Sequence, residues 1–235
     1  MAKKEVPFEF KEPFNWTDII LGILFLFGLI GIGLFIVLHF RQLYYWNIGW
    51  LDLEKSSGLT AEVIRENFDT LMDYCSPFCF KELCFPSLPS SVSGLSHFAE
   101  VKVIFNLIYI TGFISTIITV VWIIKKRRNR EKKYLKVCGI VALVIPAVLL
   151  AVCLIDFDGL FILFHKVVFN NDDWLFDPEK DPIIDLLPET YFMECAIVIA
   201  SVVIIGAAVM LIVYLRKRDR RKDDSLIPGK KNYVY

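Results

Sequence analysis

Long runs of apolar residues, separated by polar connections, dominate the pattern along the chain. A helix of roughly 20 apolar residues crosses a hydrocarbon core about 30 Å thick. Four segments are long and apolar enough to do so, at residues 19–40, 101–124, 137–155 and 191–215. Without water at that depth, each backbone must satisfy its own N–H and C=O groups, so each segment is predicted to be a helix. Pro146 lies inside the third segment and predicts a kink there. The pattern therefore predicts an all-α membrane protein built on a four-helix transmembrane bundle.

The two long connections, residues 41–100 and 156–190, are predicted to form a small cap. "YYWNIGWLDL" nearly alternates aromatic and β-favouring residues, which favours an extended segment. Thr60 is a plausible N-cap for an amphipathic helix, since Val63, Ile64, Phe68, Leu71 and Met72 follow at helical spacing. "WLFD" predicts a short strand and "DPIIDLLPE" a helical turn. The cap should thus be mostly helical, with one or two short strands.

Basic residues indicate an orientation, although the formal net charge is zero. Segment 125–136 begins "KKRRNREKK" and the tail 216–235 begins "RKRDRRK", whereas the two long connections carry few Lys or Arg. Lys and Arg next to spans tend to stay on the cytoplasmic side. Residues 1–18, the loop and the tail are therefore predicted to be cytoplasmic, with both connections outside. The first span is too long for an ordinary signal core and no small-residue cleavage site follows, which indicates an uncleaved anchor.

The six cysteines form two groups. Cys138, Cys153 and Cys195 lie in or beside spans and are expected to be small buried residues. The other three lie together in the first connection, where one disulfide is possible if the exterior is oxidising. A zinc site there would need a fourth ligand, and none is adjacent. We predict no metal and no cofactor, and the redox state of Cys75, Cys79 and Cys84 stays open.

All three histidines map to the predicted outer boundary of the membrane. His39 lies before "FRQLYYW", an aromatic belt that favours an anchoring role. His97 opens the second span in "SHFAEVK", and Glu100 at i+3 shares its helix face, where the carboxylate could hold the imidazole. His165 ends "DFDGLFILFH" and is followed by "NNDD". Ionisable groups this close to hydrocarbon are costly and are therefore candidates for function.

The acidic run after His165 has a simpler explanation, since it could merely solvate a loop. The apolar stretches "WLFDP" and "LLPETYF" within it favour a site. A serine nucleophile needs a positioned base beside it. Ser93 and Ser96 flank His97 but do not form a recognisable nucleophile elbow, and no HExxH motif occurs. The residues alone therefore indicate histidines acting as general acid and base.

The motif "SHFAEVKVIF" before the second span and "FHKVVFNNDDWLFDPEKDPIIDLLPETYF" before the fourth resemble the lipoprotein intramolecular transacylase (Lit) family of Gram-positive bacteria. The likeness covers nearly the whole chain, and Glu100 stands where aspartate is more usual. It implies an acyltransferase in the bacterial cytoplasmic membrane, with its site at the extracytoplasmic face. Its partners would be diacylglyceryl-modified lipoproteins and membrane lipid, without nucleic acid. The sn-2 acyl chain would move to the α-amine of the N-terminal cysteine, giving the N-acyl, S-monoacylglyceryl (lyso) form.

The resemblance also implies roles. His97 would take a proton from the attacking amine, oriented by Glu100, while His165 would donate to the oxyanion or to the departing oxygen; the two roles are exchangeable. Supporting roles in the oxyanion site, in the two connections and beside His165 would fall to Asn170, Asn171, Lys102, Asp173, Asp177 and Trp174.

Two other functions compete with this one. A membrane assembly or sensor protein would bind a partner through its connections and anionic lipid through its basic segments. A membrane metalloenzyme would use His97, His165 and carboxylates as ligands. The transacylase interpretation depends on the two imidazoles meeting beneath a shared cap, and the sequence leaves oligomeric state, lipoprotein preference and the helices bordering a lipid opening undecided.

Overall fold

A computed structural model describes residues 15–128 and 132–226, so most of the predicted cytoplasmic N-terminus and the end of the predicted tail lie outside the described residues. The described chain is helical and contains no strand. Its elements are α1 (Trp16–His39), α2 (Gln42–Trp50), α3 (Leu53–Ser57), α4 (Ala61–Cys75), α5 (Val92–Arg128), α6 (Lys133–Ile155), α7 (Phe157–Val168), a 3₁₀ helix (Pro182–Leu186) and α8 (Glu189–Leu226).

Four of these helices, α1, α5, α6 and α8, are long and apolar enough to cross a membrane. This confirms the predicted all-α membrane bundle. α5 begins at Val92, well before the predicted span at residue 101, so His97 and Glu100 both lie on a continuous helix. α6 runs through Pro146, and the kink there stays a prediction.

The helix α1 lies at the centre of the bundle and packs against α5, α6 and α8, while α6 packs against α8. Glycines bring α1 and α5 together, since a Cβ placed on Gly112 would lie 2.9 Å from the Cα of Gly31. Such small residues let transmembrane helices approach closely and gain packing energy without a hydrophobic drive between them. At the end opposite the cap, Lys126 Nζ donates to Asp18 Oδ1 over 2.7 Å, and both side chains are buried.

The first connection folds into α2, α3 and α4. The predicted extended segment at residues 44–53 is wrong, because Tyr44 and Ile48, at i and i+4, are both buried on one face of α2. The predicted amphipathic helix is confirmed as α4, with Thr60 Oγ1 accepting from the N–H of Val63. No strand forms at "WLFD", whereas the helical turn predicted in "DPIIDLLPE" is confirmed by the 3₁₀ helix.

A buried aromatic cluster joins the cap to the bundle. Tyr44 stacks on Phe68 of α4 with ring centroids 3.6 Å apart, and Tyr191 of α8 meets both rings edge-on. The Tyr44 hydroxyl donates to the carbonyl of Leu186 over 2.7 Å, so its one polar atom is satisfied. Burying a side chain such as Phe68 stabilises the fold by about 1.5–3 kcal/mol. The cap is therefore a packed unit that can position side chains above the bundle.

The cysteines whose side chains the structure describes carry free thiols. The optional disulfide of the first connection is therefore not formed: Cys75 is buried in the cap core, while Cys84 is exposed. The side chain of Cys153 lies outside the described part of the chain.

Candidate active site

Helix α7 places His165 at the edge of the cap. The helix begins at Phe157, where Asp156 Oδ1 accepts from the N–H of Gly159 over 2.9 Å. Its outer face exposes apolar side chains such as Leu163 and Val167, whereas His165 on the opposite face is only 8% exposed. An amphipathic helix of this kind suits a membrane boundary. His165 therefore faces the protein, and the apolar face of α7 is left for lipid.

One hydrogen bond fixes the tautomer of His165. Its Nδ1 lies 2.7 Å from the carbonyl oxygen of Phe161, one turn earlier in α7. A carbonyl oxygen can only accept, so Nδ1 must carry the proton. In the neutral ring the lone pair is therefore on Nε2, which becomes the nitrogen able to accept a proton.

The surroundings of His165 favour this neutral state. Burial lowers the pKa of His165 below its ordinary value, and the hydrogen bond to the Phe161 carbonyl opposes this only in part. The ring is then largely uncharged at neutral pH, since the ordinary pKa of histidine is about 6.5. His165 thus combines a defined tautomer with a free lone pair, which is what a general base requires.

His97 meets His165 in space although the two are far apart along the chain. The ring of His97, on α5, is only 5% exposed and its centroid lies 5.8 Å from that of His165, with the planes 36° apart. This confirms the predicted meeting of the two imidazoles. Two positive charges at this spacing would repel each other, so a state in which both imidazoles are protonated is disfavoured.

Aromatic side chains enclose the two imidazoles. Phe169 contacts both rings, at 4.7 Å from His97 and 5.5 Å from His165 between centroids. Trp174 packs against His165 with ring centroids 4.9 Å and planes 32° apart, and Phe176 packs edge-on against His97 at 5.5 Å. Apolar walls lower the local dielectric constant, so charges and dipoles that develop here interact more strongly than in water.

Asn171 ties the second connection to α5. Its Nδ2 donates to Glu100 Oε1 over 2.8 Å, joining residues 71 positions apart. Its Oδ1 accepts from the N–H of Asp173, and its carbonyl accepts from Trp174 Nε1, each over 3.1 Å. Trp174 in turn packs against His165. Asn171 therefore helps to hold the His165 ring in position relative to α5, the helix that carries His97.

A second tether, which the sequence analysis missed, joins Asp181 to the start of α5. Its carboxylate is 2% exposed and accepts from the backbone N–H and the hydroxyl of Ser91, over 2.7 and 2.6 Å. Ser91 Oγ also accepts from the N–H of Gly94 and so caps the helix. A Cβ on Gly94 would collide with the Asp181 carboxylate, so the close approach requires glycine. Nothing local marks Asp181, since an Asp-Pro pair ordinarily indicates a turn.

The expected hydrogen bond between Glu100 and His97 is not formed. Glu100 Oε1 is used by Asn171, and among the described residues neither Glu100 Oε2 nor His97 Nδ1 has a hydrogen-bond partner, although both atoms are buried. The two residues lie on one helix, as predicted, but the predicted contact between them is wrong.

The other predicted residues lie at differing distances from the pair. Lys102 is directed to α4, where its Nζ lies 3.9 Å from the centre of the Tyr74 ring. Asp177 holds a turn of the second connection by accepting from Lys180 Nζ over 2.7 Å and from the N–H of Glu179. Asn170 is exposed. His39 donates to the carbonyl of Phe35 on the outside of α1 and does not join the site.

The donor atoms of the site do not form a set of metal ligands among the described residues. Over residues 15–128 and 132–226, no three His, Cys, Asp or Glu side chains converge as ligands for one ion. The two histidines approach each other without a third ligand, so the geometry does not favour the metalloenzyme alternative.

Comparison with known proteins gives a consistent result. The profile of the family described as lipoprotein intramolecular transacylase Lit matches residues 19–192. A solved structure of the membrane-integral lipoprotein intramolecular transacylase Lit from Bacillus cereus is 33% identical, covers 87% of this chain and 96% of that chain, and superposes with a TM-score of 0.82. A structure of that protein with one histidine replaced by arginine is 30% identical, covers 88% of this chain and 95% of that chain, and gives a TM-score of 0.77. A structure with the histidine replaced by alanine is 31% identical, covers 87% of this chain and 93% of that chain, and gives a TM-score of 0.78. A comparison with curated proteins returned no match.

Proposed function

Since this chain belongs to the lipoprotein intramolecular transacylase family, we propose that His97 and His165 are the catalytic pair of its acyl transfer. The reaction moves the sn-2 acyl chain of an S-diacylglyceryl lipoprotein to the α-amine of its N-terminal cysteine and leaves the lyso form. The observation that carries the proposal is the pair itself: two buried imidazoles, 5.8 Å apart, within an aromatic enclosure at the end of an apolar bundle.

His165 is the better placed base. As the neutral α-amine attacks the ester carbonyl carbon, a C–N bond forms and the nitrogen loses a proton to Nε2 of His165. The bond between that carbon and the sn-2 oxygen then breaks, and His165 returns the proton to the departing oxygen. An amide and a free hydroxyl result, with no net change in protons and no co-reactant. This assignment exchanges the two roles first considered from the sequence, because the Phe161 carbonyl holds the proton on Nδ1 of His165.

His97 is suited to the oxyanion. Its Nδ1 is buried and has no hydrogen-bond partner among the described residues, so an N–H at that position can donate to the oxygen that becomes negative during attack. A preorganised donor in an enclosed site stabilises such a charge far more than water does, commonly by about 3–4 kcal/mol. Loss of the His97 ring should therefore slow the chemical step even with the base intact.

Trp174 supports the charged intermediate of His165. When Nε2 accepts the proton, the ring becomes a cation beside the face of Trp174, whose centroid lies 4.9 Å away. A cation over an indole face is stabilised by about 0.5–2 kcal/mol. The carbonyl of Phe161 faces the other ring nitrogen and adds a charge-assisted hydrogen bond.

The location of the site suits a lipid-bound substrate. The described spans and the apolar outer face of α7 place the histidine pair at one end of the bundle, where the acyl chains can remain in the bilayer while the cysteine reaches the site. The distribution of basic residues supports cytoplasmic termini and an extracytoplasmic site.

The test is to express His97→Ala and His165→Ala separately and to determine the lipoprotein N-terminus by mass spectrometry. Each should abolish the lyso product, while His39→Ala, which removes the exposed third histidine, should retain it. Full conversion by either catalytic variant would remove that residue from the mechanism.

A further inference from the structure

Two buried polar atoms without protein partners occur on the same face of α5. Glu100 Oε2 and His97 Nδ1, one helical turn apart, make no hydrogen bond to any described residue. Leaving a buried polar group unsatisfied costs about 1–3 kcal/mol, and more when the group is charged. The oxyanion of the proposed reaction would satisfy His97 Nδ1, so Glu100 Oε2 beside it indicates a second polar group of the substrate.

The contacts of Glu100 restrict what that group is. Asn171 holds Oε1 over 2.8 Å, which fixes the carboxylate plane and leaves Oε2 as an acceptor of set direction. No described basic side chain pairs with it, since Lys102, two positions further on, lies over the Tyr74 ring instead. A buried carboxylate without a cation is best satisfied by a positively charged group with several N–H donors.

We propose that Glu100 binds the α-amino group of the lipoprotein's N-terminal cysteine and is a specificity-determining residue for substrates with a free amine. This inference rests on the proposed function, in which that nitrogen is the nucleophile beside His97. The amine arrives as an ammonium ion, accepted by Oε2, and releases one proton to water before attack. The nitrogen becomes positive again as it attacks, until His165 removes the second proton. Glu100 therefore stabilises the positive charge on this nitrogen both when the ammonium binds and during the attack.

The test measures binding of two lipopeptides that cannot react. Both carry ether-linked alkyl chains in place of esters; one has a free α-amine and the other has hydrogen at that position. In lipid nanodiscs, the unmodified protein should bind the amine form about tenfold or more tightly, as expected for a hydrogen bond to a charged group. Glu100→Gln keeps the shape and an oxygen for Asn171 but removes the charge. It should lose the preference while binding the des-amino form as before.

Matched variants separate recognition from structure. Glu179→Gln removes an exposed carboxylate of the second connection and should keep the full preference. Glu100→Asp retains the charge and should recover part of it. Equal weakening of both ligands by Glu100→Gln would assign Glu100 a structural role and overturn the proposal, as would an unmodified protein without preference. Conversion of the ester-linked lipopeptide is read separately, so failure of the proposed function is distinguished from failure of this inference.

Discussion

Replacing Asp181 tests whether the cap sets the geometry of the histidine pair. The residue lies in the second connection and holds the start of α5 through Ser91. We expect Asp181→Ala to reduce both the stability of the cap and the rate of acyl transfer. The rate should fall because the connection that carries His165 loses its attachment to the helix that carries His97.

The magnitude follows from the contacts. Asp181→Ala removes two short hydrogen bonds to a carboxylate that is 98% buried, and it leaves the N–H of Ser91 without its acceptor. Hydrogen bonds to charged groups contribute about 1.5–3 kcal/mol each, and part of this is offset because the charge no longer has to be desolvated. A net loss of about 3–5 kcal/mol is expected, because the two hydrogen bonds together contribute about 3–6 kcal/mol before this offset. Asp181→Asn keeps one acceptor for the Ser91 N–H and should lose about half as much.

The assay combines thermal unfolding of the purified protein with initial rates of transfer on an ester-linked lipopeptide. The rates are measured at a temperature well below the melting temperature of the variant. Asp185→Ala is the matched control, since this exposed acid lies in the same segment. Asp181→Ala should lower the melting temperature and the rate of transfer together, with Asp181→Asn in between. A melting temperature and a rate equal to those of the unmodified protein would refute the view that this tether positions His165.

Two further predictions concern the pH dependence and the packing of the bundle. Because burial lowers the pKa of His165 and only its neutral ring accepts a proton, the initial rate should rise with pH below the ordinary value of about 6.5, and rise further as the substrate ammonium loses its own proton at about pH 8; a rate that falls over about pH 5 to 8 would contradict His165 as the base. The unfolded ring has the higher pKa, so the stability contributed by burying it neutral is lost as pH falls below about 6.5, which melting curves would show. Gly112→Ala should destabilise the α1–α5 contact by about 1–3 kcal/mol, because its Cβ would lie 2.9 Å from a backbone atom. Gly49→Ala, with no atom within 4 Å, should be neutral or stabilising, and equal melting temperatures for the two variants would contradict the close crossing.

Hydropathy predicted the bundle because the backbone of a segment that crosses a bilayer must satisfy its own hydrogen bonds. A long apolar segment must be helical in hydrocarbon, so the four spans follow from composition. The same signal indicates only the span from residue 101 and not the start of α5 at Val92. It detects only the part that lipid requires to be apolar, whereas "VSGLSHFAE" continues the helix because Phe98 and His97 are buried in the cap.

The cap was harder to predict because local pattern and tertiary packing disagree. In "YYWNIGW" the residue types alternate as in a strand, but Tyr44, Asn47 and Ile48 share the buried face of a helix. The Asp181–Ser91 tether spans 90 positions, and nothing near either residue indicates its partner. The histidine pair itself could be predicted, since three histidines at membrane boundaries are a rare pattern in an apolar chain and the neighbouring motifs resemble a known family.

The substrate explains why so few groups suffice at this site. Donor ester and acceptor amine belong to one molecule, and a well-oriented intramolecular reaction is already favoured by about 7–11 kcal/mol over its bimolecular counterpart. The protein must then align one nitrogen with one carbonyl carbon, move a proton and stabilise an oxyanion. His97 and His165 stand on different helices, and α5 packs mainly on α1 and α4 while α7 follows α6. The distance between the two rings therefore depends on the cap contacts, Glu100 with Asn171 and Ser91 with Asp181, more than on the transmembrane bundle. A substitution in these contacts should slow transfer with the spans intact, whereas a change on the lipid-facing surface of α5 should leave the ring geometry and the rate unaltered.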